Sequence, residues 1–69
     1  MKEVSYYKSG LRAMLREAGD ERLNDEEFID ARVEKACATA EQMRLEGHDP
    51  QSSLEVAWNV LVEGIFKEN

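Results

Sequence analysis

The start of one long central helix is the strongest structural signal in this sequence. Asn24 precedes the acidic turn Asp25-Glu26-Glu27, and Glu27 stands three residues after Asn24, at the spacing of a capping box. Leu23 and Phe28 flank this cap at the two positions of a hydrophobic staple. The pattern predicts a helix that begins at about residue 25.

The end of that helix and the start of the next are marked as clearly. Gly47 supplies a left-handed exit, and Asp49-Pro50 is typical of an N-cap followed by the first residue of a helix. The central helix is therefore predicted over residues 25–46, and a third helix over residues 50–63. Gly64 either ends the third helix or bends it.

A first helix is predicted over residues 5–18. Its apolar residues recur at spacings of three and four, which places Val4, Tyr7, Leu11, Met14, Leu15 and Ala18 on one face. Gly10 inside this stretch costs about 1 kcal/mol relative to Ala, so it indicates either a close approach to the backbone or a later helix start. Gly19 is the predicted end of this helix, and the short linker over residues 19–23 favours an antiparallel neighbour.

The other two helices carry apolar stripes of different widths. The central stripe is narrow and rich in small residues: Ile29, Val33, Ala36, Ala40 and Met43. The third helix has an apolar arc that is wide for a short chain, formed by Leu54, Ala57, Trp58, Leu61 and Ile65 with Val56 and Val60 beside them. Together the patterns predict an all-α fold, a three-helix bundle in a single domain over residues 1–69.

The wide arc on the third helix suggests self-association. A chain of 69 residues buries only about 60% of its unfolded surface, and its single Cys excludes an internal disulfide. Helix packing or an oligomer must then supply the stability. The candidate interface residues are Trp58, Val56, Val60, Ile65 and Phe66. For Trp58 a place in the core is the favoured alternative.

Charge is distributed unevenly along the chain. The net charge is −6, made up of +2 over residues 1–18 and −8 over residues 19–69. An acidic body repels polyphosphate and argues against a nucleic-acid partner. Lys8, Arg12 and Arg16 are spaced by four and form a basic ridge on the first helix. This ridge either contacts an anion or an acidic partner, or is a solvated face paired with the acidic start of the central helix.

No residue pattern indicates catalysis, a metal or a cofactor. His48 is the single histidine and lacks a Glu-x-x-His or His-Glu-x-x-His context, so a structural role is predicted. Cys37 lies mid-helix among alanines and fits a buried small hydrophobe better than a reactive thiolate. The carboxylates of Asp25-Glu26-Glu27 and Asp30 lack the alternating spacing of a calcium loop. We therefore expect a protein that is not an enzyme.

Hydropathy and the cysteine count bear on the compartment. The longest strongly apolar run is Val60-Leu61-Val62, far below the roughly 20 residues that span a bilayer. No signal peptide is visible after Met1. With its lone thiol, the chain is expected in a reducing cytoplasm and away from membranes.

The order of these features resembles a family of small helical proteins of unknown function from anaerobic gut bacteria, often carried on conjugative elements. The resembling positions run from Ser5-Tyr6-Tyr7, Leu11 and Leu15 through Phe28-Ile29, Ala31-Arg32, Ala36, Ala40 and Glu46-Gly47 to Ala57, Val60-Leu61 and Gly64. The resemblance implies an all-helical fold without an assigned activity or functional residues. It also implies that many members continue past the position of Gly64, with sequence that could cover the third helix.

Two functional hypotheses follow. The first is a non-enzymatic interaction module that associates with itself, or with another protein, through the third helix and the tail after Gly64. The alternative is an acidic regulator that binds a basic surface of a nucleic-acid-binding partner.

Overall fold

Three α-helices and one 3₁₀ turn make up the described part of the chain. The computed structural model describes the backbone of residues 2–65 and the side chains of residues 4–65. The helices are α1 (Lys2–Ala18), α2 (Glu26–Leu45) and α3 (Pro50–Leu61), and the 3₁₀ turn covers Glu21–Asn24. Residues 2–65 contain no strand. The predicted all-α three-helix bundle is confirmed.

The start of α2 differs by one residue from the prediction. Asp25, and not Asn24, is the N-cap, and its carboxylate accepts a hydrogen bond from the Phe28 N–H at 3.1 Å. The cause lies upstream, where Asp20 accepts the Arg22 N–H at 2.9 Å and starts the 3₁₀ turn that ends with Asn24. Asp25 therefore has an extended backbone and immediately precedes α2. Glu27 is then two residues after the N-cap and not three, so it does not stand at the capping-box position.

The predicted helix ends after α1 and α2 are confirmed by the same hydrogen-bond motif. Gly47 has a φ of +96°, its N–H donates to Arg44 O, and the His48 N–H donates to Met43 O. Gly19, with a φ of +66°, ends α1 in the same way. Such pairs satisfy carbonyls that a helix end leaves unpaired, and the left-handed backbone they need is cheapest for glycine.

The end of α3 falls two residues before the predicted one. Asp49 caps its start as expected, accepting the Ser52 N–H at 2.9 Å, but α3 stops at Leu61. Gly64, with a φ of +81°, therefore lies beyond the helix and neither ends nor bends it. The turn that contains Gly64 carries Ile65 back into the core.

α2 is the central helix of the bundle and packs against both neighbours. Lys8 pairs with Asp30, and Arg12, one turn further along α1, pairs with Glu26, one turn further back along α2. The two helices are therefore antiparallel, as predicted. The buried core consists of Tyr7, Leu11, Leu15, Ile29, Val33, Ala36, Ala40, Ala57, Leu61 and Ile65. Several stripe residues lie at the margins: Val4, Ala18 and Leu54 are exposed, and Met14 and Met43 are half-buried.

Gly10 marks the place where α3 approaches α1. Because α1 begins at Lys2, a later helix start does not explain this glycine. A Cβ atom at Gly10 would lie 2.7 Å from Cζ3 of Trp58 and closer still to Cη2. The close-approach explanation is therefore correct: the indole rests on the backbone of α1.

Candidate functional site

An aromatic cluster stands where α1 meets α3. The Tyr6 ring lies 5.6 Å from that of Tyr7 in an edge-to-face contact and 6.0 Å from that of Trp58, measured between centroids. Tyr7 is buried and Trp58 half-buried, but Tyr6 is 54% exposed. Tyr6 lies one turn before Gly10, so the indole that covers the glycine also supports the tyrosine. The cluster thus presents one large aromatic ring to solvent on a packed base.

Of the open hollows beside this cluster, two share both Tyr6 and Leu54. The first, of about 440 Å³, is lined by Tyr6, Tyr7, Ala40, Arg44, Pro50, Ser53 and Leu54. The second, of about 450 Å³, is lined by Tyr6, Leu54, Glu55, Trp58 and Asn59. Leu54 is 39% exposed between them. We call the two hollows together the aromatic groove.

The two charged residues of the aromatic groove line different hollows. Arg44 lines the first hollow and Glu55 the second. The hydroxyl of Ser53 belongs to a side chain that is only 2% exposed, and it donates to the backbone carbonyl of Asp49 at 3.0 Å. The groove therefore combines apolar and aromatic side chains with one cation in the first hollow and one anion in the second.

The predicted interface residues separate in the structure. Val56 is 37% exposed and Val60 half-buried, whereas Ile65 is 7% exposed and belongs to the core of this chain, so Ile65 is removed from the candidate interface. Val56 and Trp58 are two residues apart, which places them about 200° apart around α3. Among the candidates that lie within residues 4–65, only Trp58 therefore lines the aromatic groove. Phe66 lies outside the described residues.

The basic ridge of α1 is largely paired with α2. The Lys8 ammonium lies 3.5 Å from a Glu26 carboxylate oxygen and 3.2 Å from one of Asp30, and the Arg12 guanidinium pairs with Glu26. Within residues 4–65, Arg16 has no ion-pair partner and is exposed. The structure thus agrees with pairing to the acidic start of the central helix for two of the three cations. Exposed pairs of this kind contribute about 0–1 kcal/mol each.

The carboxylates at the N-cap and along α2 divide into two groups. Asp25 caps the helix, and Glu26 and Asp30 face the cations of α1. A second group is exposed and unpaired: none of Glu27, Glu34 and Glu41 has an ion-pair partner within residues 4–65. Their spacing of seven puts them on one face at intervals of about 10.5 Å. We call these three residues the outer acidic face.

Arg32 has a role that the sequence did not reveal. Its Nη1 donates to the carbonyls of Val60 at 3.3 Å, Leu61 at 3.2 Å and Glu63 at 2.7 Å, at the C-terminal end of α3. Its guanidinium carbon also lies 4.9 Å from the Phe28 ring centroid. The spacing of four between Phe28 and Arg32 signals the ring contact. The carbonyls lie about 30 positions away, and no local pattern could identify them.

Arg22 and Asp20 form a second local pair beside Phe28. The guanidinium carbon of Arg22 lies 4.7 Å from the Phe28 ring centroid, and its Nε donates to the Asp20 carboxylate at 2.9 Å. These hydrogen bonds lower the pKa of Asp20 from 3.8 to about 2 and raise that of Arg22. The carboxylate is thereby held charged in the 3₁₀ turn, where its role is structural.

The remaining candidate groups do not assemble into a site. His48 is exposed, with its Nε2 3.6 Å from a Glu46 carboxylate oxygen, and Cys37 is half-buried with an interaction inside the chain. Among residues 4–65, no group of three or more His, Cys, Asp or Glu side chains could hold a metal ion. None of the helices described is both long and apolar enough to span a bilayer.

Comparison with known proteins gives one match. A family model described as a domain of unknown function (DUF1896) matches residues 1–67. Searches of curated proteins and of solved structures yield no significant match. The predicted resemblance to a family without an assigned function is confirmed in that part. Since the matched region covers almost the whole chain, this protein belongs to the DUF1896 family.

Proposed function

We propose that this protein is a non-enzymatic helical module that associates with protein, itself included, through the aromatic groove. The observation that carries the proposal is the continuous apolar surface formed by Tyr6, Leu54 and Trp58, with Tyr6 more than half exposed. Contiguous apolar surface of this kind on a small domain is typical of interaction sites, and aromatic anchors dominate their energetics. Against catalysis stands Ser53, since the only serine that lines the two hollows is buried and its hydroxyl already donates to a carbonyl.

The proposal is tested by sedimentation equilibrium from micromolar to millimolar protein. We expect concentration-dependent association, and we expect Leu54→Glu to abolish it because the charge would enter the apolar part of the groove. Leu45→Glu is the matched control: Leu45 is 77% exposed at the end of α2 and lines neither hollow of the groove. Circular dichroism verifies that both variants remain folded. A protein that stays monomeric at millimolar concentration would refute self-association.

A second candidate function is an acidic regulator that occupies a basic surface of a nucleic-acid-binding partner. The outer acidic face favours it, because Glu27, Glu34 and Glu41 are not consumed by contacts within residues 4–65. The test uses a triple variant that carries Glu27→Gln, Glu34→Gln and Glu41→Gln. The control is the single variant Glu17→Gln, which neutralises a carboxylate on α1. Salt-sensitive co-purification with a basic protein should be lost in the triple variant and kept in the control. Unchanged co-purification in the triple variant would count against this function.

We propose a bacterial origin from the sequence resemblance, and a cytoplasmic location from the single cysteine. Relatives on conjugative elements of gut bacteria would give such a module a bacterial context, and a single Cys37 fits a reducing cytoplasm. Genomic neighbourhood and cell fractionation test these two points; recovery of the protein in an oxidising compartment would contradict the second.

A further inference from the structure

We infer that two copies of this chain associate about a two-fold axis near Tyr6 and Leu54, with Arg44 of each copy facing Glu55 of the other. The inference deepens the proposed function and rests on it. It names a second copy as the occupant of the aromatic groove and specifies how that copy is oriented.

The geometry of the groove has the form that a two-fold contact requires. Tyr6 and Leu54 line both hollows, whereas among the lining residues Arg44 belongs to the first hollow and Glu55 to the second. In an isologous contact the same patch meets itself, so that residue i touches j and j touches i. A two-fold axis that passes through the shared residues, in the plane of contact and perpendicular to the line joining the hollows, sets the first hollow of one copy against the second hollow of the other; an axis along that line would set Arg44 against Arg44. Each Arg44 then meets a carboxylate, twice per dimer.

Charge also selects the surface. Each chain carries a net charge of −6, so two copies repel one another unless they meet at a locally neutral or complementary patch. A two-fold contact through the outer acidic face would set the three glutamates of one copy against the same three glutamates of the other. The repulsion between these like charges makes that contact unfavourable. The two hollows of the aromatic groove carry one charge of each sign, and they share the residues Tyr6 and Leu54. Such a balance suits a second copy better than a strongly charged partner.

Arg44 can serve in this contact although it already interacts within its own chain. A guanidinium has five N–H donors in a fixed fork, so one internal partner does not exhaust it. Arg44 is exposed in the last turn of α2, and Glu55 is exposed on α3. Neither side chain has to leave the core for the contact to form.

The experiment is a charge exchange followed by sedimentation equilibrium. We expect Arg44→Glu and Glu55→Arg each to weaken dimerisation about tenfold or more, because each places like charges opposite one another twice. An equimolar mixture of the two variants should dimerise like the original protein, since every contact in the mixed dimer pairs opposite charges. The double variant should recover as well. Recovery on mixing also shows that neither single variant failed by misfolding.

Two matched controls locate the contact. Arg16→Glu changes the net charge by the same amount as Arg44→Glu but lies on α1 outside the groove, and Val56→Glu places a charge on the opposite edge of α3. Both should leave dimerisation unchanged within about twofold. If Leu54→Glu abolishes dimerisation but Arg44→Glu and Glu55→Arg have no effect, the inferred orientation is wrong while the proposed function stands. If Val56→Glu dissociates the dimer and Leu54→Glu does not, the groove is not the interface and both the inference and the proposed function fail. If the original protein is a monomer at millimolar concentration, self-association itself fails.

Discussion

The contact between Gly10 and Trp58 allows a sharp prediction for Gly10→Ala. In a helix interior this change stabilises by about 1 kcal/mol, because Ala has the higher helix propensity. Here the new Cβ would lie 2.7 Å from Cζ3 of the indole, and Cη2 would be closer still. Overpacking of this kind costs about 1–3 kcal/mol, even with the half-buried ring partly displaced. The expected net effect is a loss of about 1 kcal/mol in the free energy of unfolding.

A double-mutant cycle isolates the contact. Trp58→Leu removes the distal ring atoms and keeps an apolar side chain, so in that background Gly10→Ala should stabilise by about 1 kcal/mol. The coupling energy is then about 2 kcal/mol. Urea unfolding monitored by circular dichroism measures all four proteins, and the tryptophan emission of Gly10→Ala should shift to the red. Ser9→Ala, at an exposed position of α1, gives the propensity gain alone, about 0.5 kcal/mol. Stabilisation by Gly10→Ala in both backgrounds would refute the close approach.

Three further predictions concern the ends of the helices. Arg32→Met should lower the free energy of unfolding by about 1–2 kcal/mol and speed amide exchange at the end of α3, because the guanidinium no longer donates to the carbonyls there. The control Arg16→Met should change the free energy of unfolding by less than about 0.5 kcal/mol. Equal effects of the two changes would contradict the role of Arg32. Asp25→Ala should cost about 1 kcal/mol in urea unfolding and Asn24→Ala much less; the reverse order would restore the cap expected from the sequence. The pKa of Asp20 should be about 2 in an NMR titration. The contribution of this carboxylate to the free energy of unfolding is then complete above about pH 4 and is lost as the pH falls towards 2. A titration midpoint at the ordinary 3.8 would contradict the hydrogen bonds from Arg22.

The sequence predicted most of the fold because helix ends are encoded locally. The caps at Asp49-Pro50 and Gly47 depend on residues within five positions of one another, and both were placed correctly. The error at Asn24 was of the same local kind. Asp20 begins a 3₁₀ turn, which moves the N-cap of α2 to Asp25.

The candidate surface was predicted only in part, because it depends on how the helices are rotated about their axes. Periodicity alone joined Val56, Trp58 and Ile65 into one arc. Packing against α2 and α1 divided that arc among the core, the groove and the opposite edge of α3. The exposure of Tyr6 and its contact with Trp58 likewise join α1 to α3, more than 50 positions apart in the sequence.

The sequence by itself therefore determined the number and order of the helices and their limits to within about three residues, since hydrogen bonds and torsion preferences within a few residues fix them. The tertiary structure alone decided which charges are consumed inside the bundle and which apolar side chains remain outside. Lys8 and Glu26 become partners, and Tyr6 and Leu54 become neighbours, only when rigid helices settle side by side. Burial of the shared core sets that arrangement, and no short stretch of sequence contains it.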